Sequence, residues 1–374
     1  MMDTFKKMRT RANAKVRRAT ASAVSRAWKA LLEPVKPPKQ QPATTTKPPA
    51  KRVRTSTRSA KTIGKTTATK ANSQTPAKTA PARGASFKTG THKSVHGYLQ
   101  YKLYVPSVAQ RDVIELPLVV MLHGCGQTAD DFARGTGMNA LAEQLGFLVL
   151  YPDQSRRANI GGCWNWFKPE HQCRDTGEPA LIASLTLQIV AEQNADEAKV
   201  YVAGLSAGAS MALILGTAYP DVFAAVGVHS GLAVGAAHDA VSVMAAMQAG
   251  NPGQCHHDQL PTIIFHGAAD KVVNARNGRF VAMRALEPYD NLVKSETKGR
   301  VRAGQDYTRT RHRVGEGRPY IEHWLVHDAG HAWSGGNPTG TYTDQTGPNA
   351  SQEMIRFFLR HRTTKKRRSM PSSK

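Results

Sequence analysis

A serine, an aspartate and a histidine far apart in the sequence carry its strongest chemical signal. Ser206 stands within Lys199 to Gly216, KVYVAGLSAGASMALILG. There a β-branched and aromatic run (Val200, Tyr201, Val202) enters a Gly-Leu-Ser-Ala-Gly turn and then an apolar segment of helical length. Strand, sharp turn and helix form the setting in which G-x-S-x-G holds a serine hydroxyl above a sheet. Glycine is required on both sides, because a Cβ at 204 or 208 would crowd the neighbouring strand and helix. The helix N-terminus beneath the serine offers backbone N–H groups, that of Ala207 first, to a developing oxyanion. A capping serine in a glycine-rich β–α turn is the plainer alternative. Downstream, Asp270 follows the apolar run Thr262–His266 through a tight Gly267-Ala-Ala turn, and His331 lies in a glycine-containing loop after Ile321–Val326. In this order the three supply a nucleophile, its base, and a carboxylate that fixes the imidazole tautomer. Asp328 shares a loop with His331 and is poorly placed to orient it. His323 falls within a strand and His327 at its end, whereas His229 and His266 follow strands and are placed to line a pocket.

The second oxyanion donor is expected from His123-Gly-Cys-Gly, directly after the apolar run Leu116–Leu122, where flanking glycines let the Cys125 N–H point inward. The Cys125 thiol has no base placed for it and reads as a bystander. The loop Gly161–Phe167, GGCWNWF, is dense in aromatic rings. Trp164, Trp166 and Phe167, with His229 and Trp333, are the expected substrate-binding wall, suited to an apolar acyl chain or a phenolic ester. The same rings would equally serve to plug the top of a sheet. Four cysteines are too few for a disulfide scaffold and lack paired C-x-x-C spacing for zinc. A Cys163–Cys173 bridge across one loop is an option in an oxidising compartment. The chemistry calls for no metal and no organic cofactor.

The elements that must position these residues alternate. Tyr98–Val105 alternates as a strand, and Leu116–Leu122 and Phe147–Tyr151 read as strands, with a helix at about Ala129–Leu145. A helix at about Pro179–Asn194 precedes the elbow strand. Strands at Ala224–Val228, Thr262–His266 and Ile321–Val326 and helices at about Asn277–Leu286 and Ser351–Arg362 complete the series. Continuous apolar strands alternating with helices predict a mostly parallel sheet with helices on both faces.

Charge divides the chain differently. The formal net charge is +24, yet residues 1–90 hold 22 Lys and Arg against Asp3 and Glu33, and residues 360–374 add seven basic groups and no acid. The body between them is close to neutral. Four regions follow: a basic amphipathic helix over 1–33, a disordered Lys/Thr/Ala/Pro-rich linker over 34–89, the catalytic body over 90–360, and a basic tail over 361–374. The helix stripe runs through Phe5, Met8, Ala12, Val16, Val24, Trp28 and Leu31. The tails are expected to contact an anionic surface, whether polymer granule, membrane or nucleic acid. No stretch approaches the ~20 apolar residues of a membrane span, and no conventional signal peptide is evident. The expectation is an intracellular protein, associated with a granule or another surface.

Five blocks together resemble the poly(3-hydroxybutyrate) depolymerase family of esterases, which includes feruloyl and acetyl-xylan esterases. They are LHGCGQTADDF, GLSAGASMA, CWNWF…HQ…GEPALI, IIFHGAAD…NGR and HAWSGG, spread over roughly residues 90–360. The resemblance implies an α/β-hydrolase fold, a Ser206–Asp270–His331 triad and an oxyanion hole of the Cys125 and Ala207 N–H groups. It implies hydrolysis of carboxylic esters, with polyhydroxybutyrate or its oligomers as first choice and feruloyl, acetyl-xylan or small esters as alternatives. A protein of another class, acting only through its basic arms on a surface, is the competing expectation.

Overall fold

The computed structural model describes residues 82–110, 115–255 and 258–364; the expected basic helix, the linker up to residue 81 and the last ten residues lie outside them. A ten-stranded sheet runs through the described chain in the order β1-β2-β4-β3-β5-β6-β7-β10-β9-β8. β1 (Ser86–Ser94) and β2 (Gly97–Val105) form an antiparallel hairpin at one edge. The centre is parallel: β3 (Leu118–Leu122), β4 (Leu148–Asp153), β5 (Val200–Leu205), β6 (Ala225–His229), β7 (Thr262–Gly267) and β10 (Pro319–Val326). β8 (Leu292–Arg300) and β9 (Asp306–Val314) return antiparallel at the far edge. β11 (Trp333–Ser334) and β12 (Thr343–Asp344) make a separate two-stranded ladder beside His331.

The central strands read as unbroken apolar runs because both faces are covered. Along β3, Leu118, Val120 and Leu122 enter one core while Val119 and Met121 enter the other. The first core packs α3 (Gly177–Glu192), α4 (Ala207–Ala218), α5 (Ala240–Ala249) and α6 (Arg276–Leu286). The second packs α1 (Ala129–Thr136), α2 (Met138–Leu145) and α7 (Ala350–Phe358). The helix expected over 129–145 is thus two helices, broken where Gly137 takes a left-handed φ of 63° and caps the first.

The body also extends beyond its expected limits. Ser86–Thr89, assigned to the linker, form the start of β1 because they pair with Lys102–Val105. At the other end, Tyr201 Oη donates to the His361 carbonyl at 2.8 Å and the Thr363 N–H to the Ala198 carbonyl at 2.9 Å. His361 and Thr363 are therefore buried against the elbow strand instead of opening the tail.

Candidate active site

Strand β5 delivers Ser206 into the turn before α4 with φ 57° and ψ −119°. A side chain in this region costs on the order of 1–3 kcal/mol and persists only where its surroundings over-determine it. They do. The Ser206 N–H donates to the His229 carbonyl at 2.9 Å, and the Ser206 carbonyl accepts from the Ser210 N–H at 3.0 Å. A Cβ at Gly208 would lie 2.2 Å from the Leu122 carbonyl oxygen, and one at Gly204 would lie 2.4 Å from the Gly208 backbone. The elbow is squeezed between β3 and α4, and both glycines are obligatory. Ser206 is only 4% exposed, so its hydroxyl sits beneath the surface.

Asp270 and His331 meet across the ends of β7 and β10. Asp270 Oδ2 accepts from His331 Nδ1 at 2.7 Å, while Oδ1 accepts from the Val272 and Val273 N–H groups at 2.9 and 2.8 Å. Burial alone would push this carboxyl up; the hydrogen bond and charge of His331, the charge of His266 and the Val273 N–H together hold it below its ordinary value. A carboxylate can only accept, so Nδ1 carries the hydrogen, and in the neutral ring the lone pair is on His331 Nε2. Asp328, the rival orienter, is exposed.

The other histidines brace this pair. His266 Nε2 donates to the Val273 carbonyl at 2.8 Å and lies 3.5 Å from Asp270 Oδ2, fixing the turn that presents the carboxylate. His229 Nε2 accepts from the Ser334 N–H at 3.0 Å, tying the end of β6 to the segment just after His331. Burial, then the charges of His266 and His331, lower His229 to about 3, so it is a neutral strut. Its ring stacks between Phe265 and Trp333 at 5.8 and 5.1 Å.

The loop after β3 is held just as firmly. His123 Nδ1 donates to the Gly124 carbonyl and its Nε2 accepts from the Gln154 N–H, at 2.8 and 3.0 Å. Gly126 N–H reaches the Gly161 carbonyl at 3.0 Å, which lays this loop along the aromatic one. The expected Cys163–Cys173 bridge is accordingly replaced: Cys163 pairs with Cys125, leaving Cys173 and Cys255 free and exposed. The Cys125 sulfur is structural. Among the described residues, no protein acceptor engages the Cys125 or the Ala207 N–H.

The expected aromatic wall needs correction. Trp164 is fully buried and donates Nε1 to the His123 carbonyl at 3.1 Å. Trp333 is buried with Nε1 on Ser351 Oγ at 3.0 Å and its ring against Phe132. With His229 they are framework, their apolar and polar surfaces already used. Trp166 is 2% exposed and packs edge-on against Phe167, which is half-buried and keeps accessible surface. Among the described residues, no group of three or more His, Cys, Asp or Glu side chains is placed to hold a metal ion.

The Esterase PHB depolymerase family model matches residues 99–310, more than half of the chain. The chain belongs to this esterase family. Poly(3-hydroxyalkanoate) depolymerase C of Paucimonas lemoignei is 30% identical to this PHB depolymerase family chain over 67% of it, and the chain spans 62% of that protein's length. Feruloyl esterase B of Neurospora crassa is 27% identical, with 64% of this chain and 82% of that one covered. Among solved structures, an acetyl xylan esterase from Aspergillus awamori superposes with a TM-score of 0.56 at 20% identity, over 74% of this chain and 99% of that one. The fold is that of an α/β-hydrolase.

One residue of this family member that composition and spacing left unread is Glu178, at the start of α3. Buried, it accepts from the Asn165 N–H at 2.7 Å, from Asn165 Nδ2 at 2.5 Å and from Gln154 Nε2 at 2.6 Å. It thereby moors the aromatic loop to the strand that also holds His123 in place. A buried acid with several donors is a positioning device; in the sequence only its place in the GEPALI block marked it.

Proposed function

We propose that the chain is a serine esterase working through an acyl-enzyme, with Ser206 as nucleophile, His331 as general base and Asp270 as its orienter. The observation that supports this most is the 2.7 Å hydrogen bond from His331 Nδ1 to the buried Asp270 carboxylate, which leaves Nε2 as a proton acceptor. His331 Nε2 takes the Ser206 proton as Oγ attacks the ester carbonyl, and the Cys125 and Ala207 N–H groups receive the oxyanion. The alcohol leaves with the proton from His331. Water, deprotonated by the same nitrogen, then releases the acid and restores Ser206.

The first-choice ester is polyhydroxybutyrate or its 3-hydroxybutyrate oligomers, with Phe167 and Trp166 contributing apolar contact to the acyl chain. Feruloyl and acetyl-xylan esters form the second reading, favoured by the 82% coverage of the feruloyl esterase and by the acetyl xylan esterase superposition. The test is turnover of p-nitrophenyl butyrate, 3-hydroxybutyrate oligomers, polymer particles, methyl ferulate and acetylated xylan, each with the wild type and with Ser206→Ala. Loss of every activity in that variant supports the nucleophile; retained activity removes it. The basic segments 1–81 and 365–374 are proposed to hold the enzyme on an anionic surface. Their deletion is expected to abolish salt-sensitive binding to DNA or anionic vesicles while leaving soluble-ester turnover intact.

A further inference from the structure

A second polar cluster lies along β9, next to last at the far edge of the sheet. Arg309, Arg311 and Arg313 recur every second residue along β9 and so project from one face. In register, Arg311 faces Glu322 of β10, and Arg313 faces Pro319, the strand's first residue. The active-site loops leave from the other end of β10, beyond Val326. With Arg356 and Arg360 from the end of α7 and beyond, these three line a cavity of about 310 Å³, at the small end of the roughly 300–1,000 Å³ of ligand pockets.

The cavity holds five guanidinium groups against two carboxylates, and those carboxylates are badly placed to neutralise it. Glu316 is 96% exposed in its side chain and touches Arg313 at 3.7 Å; Glu322 is engaged by Arg356. Arg309 lies 3.9 Å from Glu353, outside the cavity lining, with its guanidinium over the Trp324 ring. The Arg311 side chain makes no ion pair or hydrogen bond among the described residues. The Nε atoms of Arg309, Arg311 and Arg313 are all buried without an acceptor, and so is Ser295 Oγ, which faces Arg311 across the β8–β9 ladder. Burial, then the charge of Arg309, pushes Arg311 below its usual range against the opposing charge of Glu322, with Arg313 and Arg356 adding to the fall. Buried donors are nearly always paired in folded proteins. A row of unpaired ones inside a cavity describes a missing acceptor.

We propose that this cavity between β9, β10 and α7 binds a phosphate group. Several guanidinium forks converge there, and a tetrahedral dianion can accept from more than one of them, whereas a carboxylate fills a single fork. The buried Glu322 Oε1 also lacks a partner. It would repel a carboxylate ligand, but it accepts the O–H of a singly protonated phosphate.

The experiment uses the full chain, with Tm and calorimetric binding followed against inorganic phosphate at ionic strength held constant with sodium chloride. The wild type is expected to gain Tm and to bind phosphate saturably. Arg311→Gln is expected to bind at least about tenfold more weakly, to keep its soluble-ester turnover, and to unfold no earlier than the wild type in phosphate-free buffer, since the lost guanidinium had no partner. Ser295→Ala is the second variant, predicted to weaken binding less. Vesicles of phosphatidylcholine with and without phosphatidic acid form the other arm. An Arg311-dependent gain on phosphatidic acid identifies a lipid headgroup as the source, and a response confined to soluble phosphate identifies a free one. A wild-type response no larger than that to chloride, or an unchanged affinity in Arg311→Gln, overturns the site. Early unfolding of Arg311→Gln without phosphate would overturn it too, because it would make that guanidinium a structural group.

Discussion

Past the Val326 end of β10, Asp270 accepts from His331, His266 holds the Val273 carbonyl and His229 accepts from Ser334, so that of the buried ring nitrogens in this bracing only His266 Nδ1 lacks a partner, while His331 Nε2 is left open. Along β9, Arg309, Arg311 and Arg313 crowd like charges together and leave three buried donors empty. In the first cluster both carboxylate oxygens of Asp270 are engaged without a ligand. Its groups are aimed before a substrate arrives, which is how electrostatic preorganisation lowers a barrier without reorganisation at the moment of reaction. The second is incomplete, and its polar atoms find full satisfaction only with something else present. Both clusters are built from the same sheet; what separates them is whether the protein itself supplies the counter-groups.

That contrast breaks most severely at the proposed nucleophile. Ser206→Ala is expected to lower kcat by about 10⁴–10⁶-fold without altering the circular dichroism spectrum. Asp270→Asn should follow at about 10⁴-fold in kcat, because an amide in this place favours the wrong imidazole tautomer; pre-steady-state acylation rates measure it. Cys163→Ser frees the Cys125 loop from its neighbour and is predicted to cost about tenfold in kcat, less than outright loss of an oxyanion donor. An effect on KM alone would contradict a role for the Cys125–Cys163 bond in holding that loop.

Acid stability sharpens the comparison further. His229 and His361 are both held neutral, with burial lowering each to about 3. In the unfolded chain they titrate at about 6.5. The unfolded state therefore binds more protons between these values, so stability falls as pH drops from about 6.5 towards 3, by up to about 1.4 kcal/mol per pH unit per histidine. Urea unfolding across this range should show His361→Gln with a shallower slope. The smallest expected effect belongs to Arg311→Gln in phosphate-free buffer, a Tm rise of about 1 °C from relieved repulsion.

Much of the catalytic end was legible because its constraints are local. The elbow glycines follow from the steric demands of one turn, and the ends of β7 and β10 follow from apolar runs that stop at Gly267 and just before the His331 loop. What was not legible depends on three-dimensional neighbours. The antiparallel strands β8 and β9 were missed because they carry Lys, Glu, Arg and Thr at an edge where solvent, not a second helix layer, covers them. Nothing in the spacing of Cys125, Cys163 and Cys173 says which loops lie side by side; the Gly126–Gly161 hydrogen bond decides it. Trp164 and Trp333 read as a wall because indole suits substrates, but their N–H groups had already found acceptors in the framework. The arginine row was invisible for a different reason: against a chain of +24, three more cations in β9 do not stand out.

The Cys125–Cys163 bond joins positions 38 apart, and that span contains α1, α2 and β4. Topologically this is a closed ring, so a protease that nicks any peptide bond within it produces no detachable fragment. A once-cut molecule would migrate as two pieces only after reduction, and until then it would keep both sides of the Cys125 loop joined.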